Sequence, residues 1–291
     1  MTHAATPPYT SRRMPPSESP LSVFAPALFA GQTALVTGGG RGIGREVALA
    51  FARLGANVVI ASRNIENLAP TAAEIENIGP GCLAVPTNVR EVDQVEALVA
   101  TTIERFGAID ILVNNAGGQF PARPSEISDR GWRAVVDLNL NGTWNMCSRV
   151  GPHMLERKRG AVVNIVHIYS LERGAVAFAH SGAARAGVIN LTKTLAAYWA
   201  RHGVNVNALA PGSVSTRGLY EEEFSRADQS DYEKWAMQDI PAHRLADAAE
   251  VAAITLFLCS PAARYINGAT IVADGALALS NWTPMFDLEV P

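Results

Sequence analysis

The sequence has few cysteines and no cluster of them. Its 291 residues include three, Cys82, Cys147 and Cys259, each far from the others along the chain. Such isolated cysteines offer neither the spacing of metal ligands nor a disulfide framework, and they are typical of reduced thiols in a cytoplasmic protein. We therefore expect a cytoplasmic location and no metal centre.

Long hydrophobic runs and an excess of charge of one sign are also absent. The formal net charge is −3 with 18% charged residues, which gives no electrostatic reason to expect binding to nucleic acid or to an acidic membrane surface. No apolar run approaches the roughly 18 residues of a membrane span. The Pro-, Ser- and Thr-rich start has no apolar core like that of a signal peptide, so we predict a disordered tail over residues 1–27.

What the chain does contain is apolar material for one large domain, since 48% of its residues are hydrophobic. Short apolar runs rich in Val, Ile and Ala alternate with helical patterns from residue 28 to the end of the chain, which indicates α/β architecture. We predict a single Rossmann-type, doubly wound parallel sheet of about seven strands with helices on both faces, and a substrate lid at about 216–240. The predicted strands are 33–36, 56–63, 83–86, 109–115, 160–166, 204–210 and 269–273, and the predicted helices include 67–78, 92–106, 128–149, 181–202 and 248–259.

A glycine-rich turn joins the first predicted strand to the first predicted helix. Glycines in this position let the backbone turn sharply and approach a pyrophosphate, while the helix N-terminus supplies N–H donors and a positive dipole end. Because these glycines lie between a predicted strand and a predicted helix, they indicate a nucleotide site more specifically than a glycine pattern alone would. The candidate phosphate-binding residues are Gly38, Gly40, Arg41, Gly42, Ile43 and Gly44.

The end of the second strand indicates which nucleotide is bound. A carboxylate there would accept hydrogen bonds from the adenosine ribose, but the chain has Ser62-Arg63-Asn64. Arg63, with Arg41 nearby in the glycine turn, suits a 2′-phosphate. We therefore expect NADP(H), with NAD less favoured.

Several motifs in order resemble the short-chain dehydrogenase/reductase family from about residue 28 to 280. They are the glycine turn, Asn114-Asn115-Ala116-Gly117, Asn139 within Asp137-Leu138-Asn139-Leu140, Ala210-Pro211-Gly212 and Asp274-Gly275. The resemblance implies a Rossmann fold, a nicotinamide cofactor and pairing into a homodimer or homotetramer. It also implies further cofactor contacts by Asn88, Val89, Asn115, Ala116, Gly117, Pro211, Gly212, Val214 and Thr216.

The family's usual catalytic set is missing. Aligning Ala186-Gly187-Val188 with the family pattern puts Ser181 at the position of the catalytic Tyr and Arg185 at that of the Lys, while His167 replaces the usual Ser. Arg185 is too basic to be a proton source, but it can hold a ribose. The segment resembles two subgroups, the 2,4-dienoyl-CoA reductases and the peroxisomal trans-2-enoyl-CoA reductases, and this resemblance implies that Tyr169 is the catalytic tyrosine.

Reduction of an activated C=C bond in an enoyl or dienoyl thioester is the function that this resemblance implies. Hydride addition would leave negative charge on the thioester oxygen, and Tyr169 and Asn139 are the candidate donors to it. His167 and His180 are either structural or relay a proton. The substrate is a small molecule, either an acyl-CoA, with Arg123 and Arg173 as phosphate partners, or a free enal or enone, which the acidic Glu221-Glu222-Glu223 in the lid favours. An atypical alcohol dehydrogenase or carbonyl reductase, and a catalytically inactive NADP(H)-binding protein, remain alternatives.

Overall fold

A seven-stranded parallel sheet forms the centre of the protein, as predicted. The computed structural model describes residues 19–79, 81–172, 174–216 and 238–279. Its strands lie in the order β3-β2-β1-β4-β5-β6-β9, so the chain reverses its direction across the sheet between β1 and β4. The strands are β1 (Thr33–Thr37), β2 (Asn57–Ser62), β3 (Cys82–Pro86), β4 (Ile111–Asn114), β5 (Gly160–Ile165), β6 (Val204–Pro211) and β9 (Thr270–Ala273).

Helices cover both faces of this sheet. On one face the core is formed with α1, α2 and α7, and on the other with α3, α5 and α6. None of the helices in the described ranges is both long and apolar enough to cross a bilayer. The helices are α1 (Gly42–Arg53), α2 (Ile65–Ile78), α3 (Val92–Phe106), α4 (Asp129–Val136), α5 (Gly142–Arg157), α6 (Ala179–Trp199) and α7 (Ala248–Cys259).

The apolar composition of the strands follows from this two-sided cover. All five residues of β1 are buried. Successive side chains of a strand point to opposite faces, so Leu35 joins the core beneath α3 and α5 while Val36 joins the core beneath α1 and α7. A strand with helices on both faces therefore needs apolar residues at consecutive positions rather than at alternate ones.

The predicted helix over 128–149 is longer than expected and is interrupted by a π turn. Ser128 is its N-cap, as predicted, and its Oγ accepts the N–H of Gly131 at 3.1 Å. α4 then passes into a π turn at Asp137–Asn141, and α5 continues to Arg157. Sequence periodicity did not reveal this wider turn, which holds Asn139 inside the protein.

Residues near the predicted tail and lid take part in packing where they are described. Residues 1–18 lie outside the described residues. Within the rest of the predicted tail, Leu21 and Phe24 are half-buried against the core. Most of the predicted lid, residues 217–237, also lies outside the described residues. Two unpredicted short strands flank that segment and pair in parallel, β7 (Val214–Ser215) and β8 (Ala246–Asp247).

Asp110 connects three elements at the end of the sheet opposite the glycine turn. Its side chain is 3% exposed, and one carboxylate oxygen accepts the backbone N–H of Thr33 at 2.9 Å. The other oxygen lies 3.0 Å from Arg157 Nη2 and 3.5 Å from Arg159 Nε. A buried carboxylate with these partners stabilises the start of β1 and β4 against the end of α5.

Replacing this carboxylate should destabilise the fold. We expect Asp110→Ala to lower the free energy of unfolding by about 2–3 kcal/mol, because it leaves the Thr33 N–H and the two guanidinium groups without their acceptor. Asp110→Asn should cost less, since the amide oxygen still accepts one hydrogen bond. Urea unfolding followed by circular dichroism measures both changes.

Glu96 provides the matched control, because its pair with Arg149, at 3.4 Å, is on the surface. Glu96→Gln should cost below about 1 kcal/mol. Equal losses for Asp110→Ala and Glu96→Gln would contradict the role assigned to Asp110.

Candidate active site

The glycine turn between β1 and α1 is built for close backbone approach. Gly38 and Gly42 have positive φ values of 67° and 51°, which side chains other than glycine rarely adopt. A Cβ on Gly44 would overlap the Gly38 carbonyl, and a Cβ on Gly40 would overlap the carbonyl of Asn67. The first turn of α1 therefore packs directly on the loop, and its N–H groups face the carboxyl end of the sheet.

A cavity of about 330 Å³ lies beside this turn at the carboxyl ends of β1, β2 and β4. None of the described residues that line it is acidic. It brings together most of the predicted cofactor residues: Gly38, Gly40, Arg41, Gly42, Ile43, Ser62, Arg63, Asn64, Asn88, Val89, Asn115, Ala116, Gly117 and Thr216. The cavity is also lined by four residues that were not predicted, Ala61, Asn67, Thr87 and Leu138. A residue that reaches a cavity from a loop or a distant helix leaves no recognisable pattern in a single sequence.

Five predicted cofactor residues do not line this cavity, and one of them, Arg185, is described with α6 below. Gly44 is behind the turn, where it allows α1 to pack on Gly38. Pro211 ends β6, Gly212 packs against Asp274, and Val214 begins β7. These three residues lie at the carboxyl end of β6, at the same end of the parallel strands as the cavity.

Thr37 and Asn115 join the ends of β1 and β4 at the point where the sheet order reverses. The Thr37 hydroxyl oxygen accepts the backbone N–H groups of Asn115 at 3.0 Å and Ala116 at 2.9 Å. In return, the Asn115 side-chain amide donates to the carbonyls of Thr37 at 3.0 Å and Gly38 at 3.3 Å. Asn115 therefore shapes the cavity wall by holding the two strand ends together, and Thr37 is a site residue that the sequence did not reveal.

The polar side chains near the end of β2 and β3 are held by local hydrogen bonds. Ser62 Oγ donates to the Asn64 carbonyl at 3.2 Å. Asn88 Oδ1 accepts from Arg90 Nε at 3.1 Å, and the Asn88 backbone N–H donates to Gln94 at 2.8 Å. Arg41 and Arg63 are exposed and line the same cavity, so both of these cationic residues lie on this side of it.

The glycine cradle and the chemistry of the cavity walls fit a nicotinamide dinucleotide. The helix N-terminus and glycines can receive a pyrophosphate, and the cationic side of the cavity can receive an adenosine ribose. Within the described ranges, no group of three His, Cys, Asp or Glu residues could hold a metal ion.

Asn139 is buried at 2% exposure in the π turn, and its hydrogen bonds correct one prediction. Its side-chain nitrogen donates to the carbonyls of Val135 and Gly118, both at 2.8 Å, so both N–H groups are used within the protein. Its Oδ1 accepts the N–H of Gly118 at 3.4 Å. Asn139 therefore fixes the loop after β4, and it is not a free donor to a substrate oxygen as the sequence suggested.

Arg185 extends from α6 to the ends of β4 and β5. Its Nη1 donates to the Ile165 carbonyl. A Cβ on Gly117 would overlap Arg185 Nη2 and lie 2.8 Å from Asn139 Oδ1, so only glycine leaves space for both side chains. The structure therefore puts the Arg185 guanidinium beside the cavity wall, where a cation can contact a bound ribose.

His167 and Ser181 form a buried hydrogen-bonded pair. His167 Nε2 lies 3.0 Å from Ser181 Oγ, and Ser181 has no exposed surface. Burial, with a smaller contribution from the Arg185 charge, lowers the pKa of His167 to about 3. The histidine is therefore neutral near pH 7. Lowering the pH from 6.5 to about 3 destabilises the folded protein, because His167 is protonated in the unfolded chain before it is protonated in the folded one.

Tyr169 lies directly after β5 in a 3₁₀ turn, Ile168–Ser170. Its ring stacks on Phe178, with centroids 6.3 Å apart, and meets the His167 ring edge-to-face at 5.6 Å. The neighbouring Ile168 packs with Ile240, the last residue of the predicted lid. Tyr169 thus belongs to an aromatic wall beside the His167–Ser181 pair.

Of the residues proposed as acyl-CoA phosphate partners, only Arg123 is described. Its side chain is 80% exposed and pairs with Glu126 at 3.4 Å. Arg173 lies outside the described residues.

The sheet topology and the glycine turn define the class of this protein as a Rossmann-type α/β nucleotide-binding protein. Comparison with known proteins then gives the family. A family model described as enoyl-(acyl carrier protein) reductase matches residues 38–277. The chain belongs to the short-chain dehydrogenase/reductase family, as the motifs predicted; it is an oxidoreductase of a family that binds a nicotinamide cofactor.

The similar proteins are named for different activities. The peroxisomal 2,4-dienoyl-CoA reductase of Danio rerio is 34% identical over 261 residues, which cover 89% of this chain and 85% of the relative. A 3-oxoacyl-[acyl-carrier-protein] reductase of Synechocystis is 38% identical over 253 residues, covering 85% and 97%. The citronellol catabolism dehydrogenase structure of Pseudomonas aeruginosa is 39% identical with a TM-score of 0.77, covering 88% and 99%.

Gly117 and Gly118 allow a matched test of the site geometry. We expect Gly117→Ala to weaken NADPH binding and lower turnover by about 10-fold or more, because its Cβ displaces the Arg185 guanidinium. At Gly118 a Cβ would meet only Leu138 Cδ2, at 3.3 Å, so Gly118→Ala should stay within about 2-fold. Fluorescence titration with NADPH measures the binding, and equal effects of the two substitutions would contradict this account.

Proposed function

We propose that the protein is an NADPH-dependent reductase of the activated C=C bond of an enoyl or dienoyl thioester. The observation that carries the proposal is the buried pair of His167 and Ser181 at the positions of the family's Ser and Tyr. Ser181 is short and fully buried, and its hydroxyl is 3.0 Å from a neutral imidazole. It is therefore a poor substitute for the tyrosine that protonates a reduced carbonyl.

When bound, NADPH supplies a hydride, here to a carbon remote from the thioester carbonyl. Negative charge then develops on the thioester oxygen, and the protein's task is to stabilise it with hydrogen-bond donors. We assign this task to the Tyr169 hydroxyl. The α-carbon of a 2-enoyl substrate takes its proton from water or a side chain; a 2,4-dienoyl substrate takes hydride at the δ-carbon and can give a 3-enoyl product.

The other residues hold the reactants in place. Arg185, beside Gly117, contacts the nicotinamide ribose, and Asn139 keeps the loop after β4 against the cavity. The glycine turn with Thr216 receives the pyrophosphate, and Arg41 and Arg63 receive the adenosine 2′-phosphate. The dienoyl-CoA reductase relative of Danio rerio supports the reaction class, and the chemistry of the site supports this arrangement.

An assay with paired substrates tests the reaction. We expect NADPH to be oxidised with trans-hex-2-enoyl-CoA or hexa-2,4-dienoyl-CoA, and much more slowly with 3-oxohexanoyl-CoA. Tyr169→Phe should lower kcat by about 10²-fold with little change in NADPH affinity, since it removes a donor to the developing charge. Loss of NADPH absorbance at 340 nm gives the rates.

Tyr198→Phe is the control, because Tyr198 is exposed near the far end of α6, against His202. It should leave kcat unchanged. Reduction of the ketone alone would favour the carbonyl reductase, which the Synechocystis relative makes the second candidate. NADPH binding without turnover of any substrate would favour a binding protein.

The cofactor preference has its own test. We expect Arg63→Ala to lower kcat/KM for NADPH by about 10-fold or more and to leave that for NADH nearly unchanged, because only NADPH carries the 2′-phosphate. Arg53→Ala, at the exposed end of α1, is the control. If the wild-type enzyme has the same kcat/KM for NADH as for NADPH, the NADP assignment is wrong.

A further inference from the structure

His180 has a buried ring nitrogen with no hydrogen-bond partner. The residue has no exposed surface, and its Nδ1 accepts the backbone N–H of Ser181 at 2.8 Å. Its other ring nitrogen, Nε2, is buried without a partner among the described residues. A buried polar group left in this way destabilises the folded protein, so its presence needs an explanation.

The hydrogen bond at Nδ1 decides which nitrogen carries the proton. An acceptor must have a free lone pair, so Nδ1 is unprotonated. Burial lowers the pKa of His180 more than the nearby Phe178 backbone carbonyl raises it, so the ring is neutral near pH 7. The single ring proton is therefore on Nε2, and the unpartnered atom is a donor.

His167 does not allow the same conclusion. Its Nδ1 is also buried without a partner among the described residues, but its Nε2 faces the Ser181 hydroxyl. A hydroxyl either donates or accepts, so this contact fits both tautomers. Of these two histidines, only His180 has a tautomer fixed by a backbone N–H.

The surroundings of His180 put it between the two loops of the active site. Its ring meets Phe120 edge-to-face, with centroids 4.5 Å apart, and Phe120 follows the Gly117–Gly118 loop after β4. Ser181, the next residue, faces His167 on the β5 side, and Phe178 stacks on Tyr169. Phe120 is 39% exposed, so one partly exposed ring separates this side of His180 from solvent.

The reaction needs more than one donor at the developing negative charge. Oxyanion sites commonly use two or more. Asn139 was the expected partner of Tyr169, but both of its N–H groups donate to backbone carbonyls. Among these neighbours, His180 Nε2 is a donor that the protein itself does not use.

We propose that His180 donates a hydrogen bond from Nε2 to the substrate carbonyl oxygen, beside the Tyr169 hydroxyl. The inference rests on the proposed function for the identity of that oxygen. The imidazole remains neutral and keeps its proton throughout, so it stabilises the enolate without acting as the acid. The fixed tautomer means that the donor needs no reorganisation when charge develops.

Two substitutions separate the donor from the helix contact. In His180→Gln the side-chain amide nitrogen is as many bonds from Cα as imidazole Nε2, so the donor is retained and the acceptor for Ser181 N–H is lost. In His180→Asn the amide oxygen takes the place of Nδ1, so that acceptor is retained. Its amide nitrogen is one bond short of the Nε2 position, so the donor at that position is lost. His202→Asn, at the other end of α6, is the control.

We expect His180→Asn to lower kcat with trans-hex-2-enoyl-CoA by about 10²-fold, with NADPH affinity and the unfolding midpoint close to wild type. His180→Gln should retain at least about a tenth of wild-type kcat. The reverse order, with His180→Asn active and His180→Gln impaired, would mean that the residue serves only the helix N-terminus and would overturn the proposal. Equal activity of both variants and wild type would overturn it too.

Nuclear magnetic resonance of ¹⁵N-histidine-labelled wild type gives a readout apart from turnover. In the NADP⁺ complex, addition of trans-hex-2-enoyl-CoA should move the His180 Nε2–H proton signal downfield, as a new hydrogen bond forms. An unchanged signal, with substrate binding established by calorimetry, would overturn the proposal. If the wild type reduces only 3-oxohexanoyl-CoA, the proposed function is wrong, and the order of the two variants with that ketone still decides whether His180 donates to a carbonyl.

Discussion

The hydrogen bonds between Thr37 and Asn115 are the constraint on which the site depends. The order of the parallel strands in the sheet reverses between β1 and β4, and the gap between the ends of these two strands forms the binding crevice. Thr37 Oγ1 accepts two N–H groups from the start of the loop after β4, while the Asn115 amide binds two carbonyls of the glycine turn. The cofactor cradle and the loop that leads to the reacting groups are thereby held as one unit.

The catalytic segment differs from the family's usual set as a connected group. The shorter Ser181 is paired with His167, the larger Arg185 fits because Gly117 has no side chain, and Tyr169 stands in the aromatic wall nearby. Each change depends on space or a partner provided by another. We interpret the group as a site arranged to stabilise charge on a substrate oxygen rather than to protonate a carbonyl directly.

Buried polar groups divide into those that hold the structure and those available to a ligand. Asn139 illustrates the first kind, since its donors compensate the carbonyls freed by the π turn and the adjacent loop. His180 illustrates the second, with one nitrogen fixed by the backbone and the other unpartnered. The low dielectric of the interior strengthens the hydrogen bond that such a donor makes to a developing charge. It also makes an unpaired donor costly to the stability of the fold, so such a donor is expected where a ligand binds it.

The sequence by itself determined the architecture and most of the residues that line the cavity beside the glycine turn. Seven apolar strands, the Ser128 N-cap and the glycine turn follow from local pattern, because burial on both faces and a tight turn restrict residue type at each position. The roles of Thr37, Asn139 and His180 were decided only by the tertiary structure. Each depends on which donor meets which acceptor across segments far apart in sequence, or on a π turn that periodicity does not signal, and such pairing is set by three-dimensional packing.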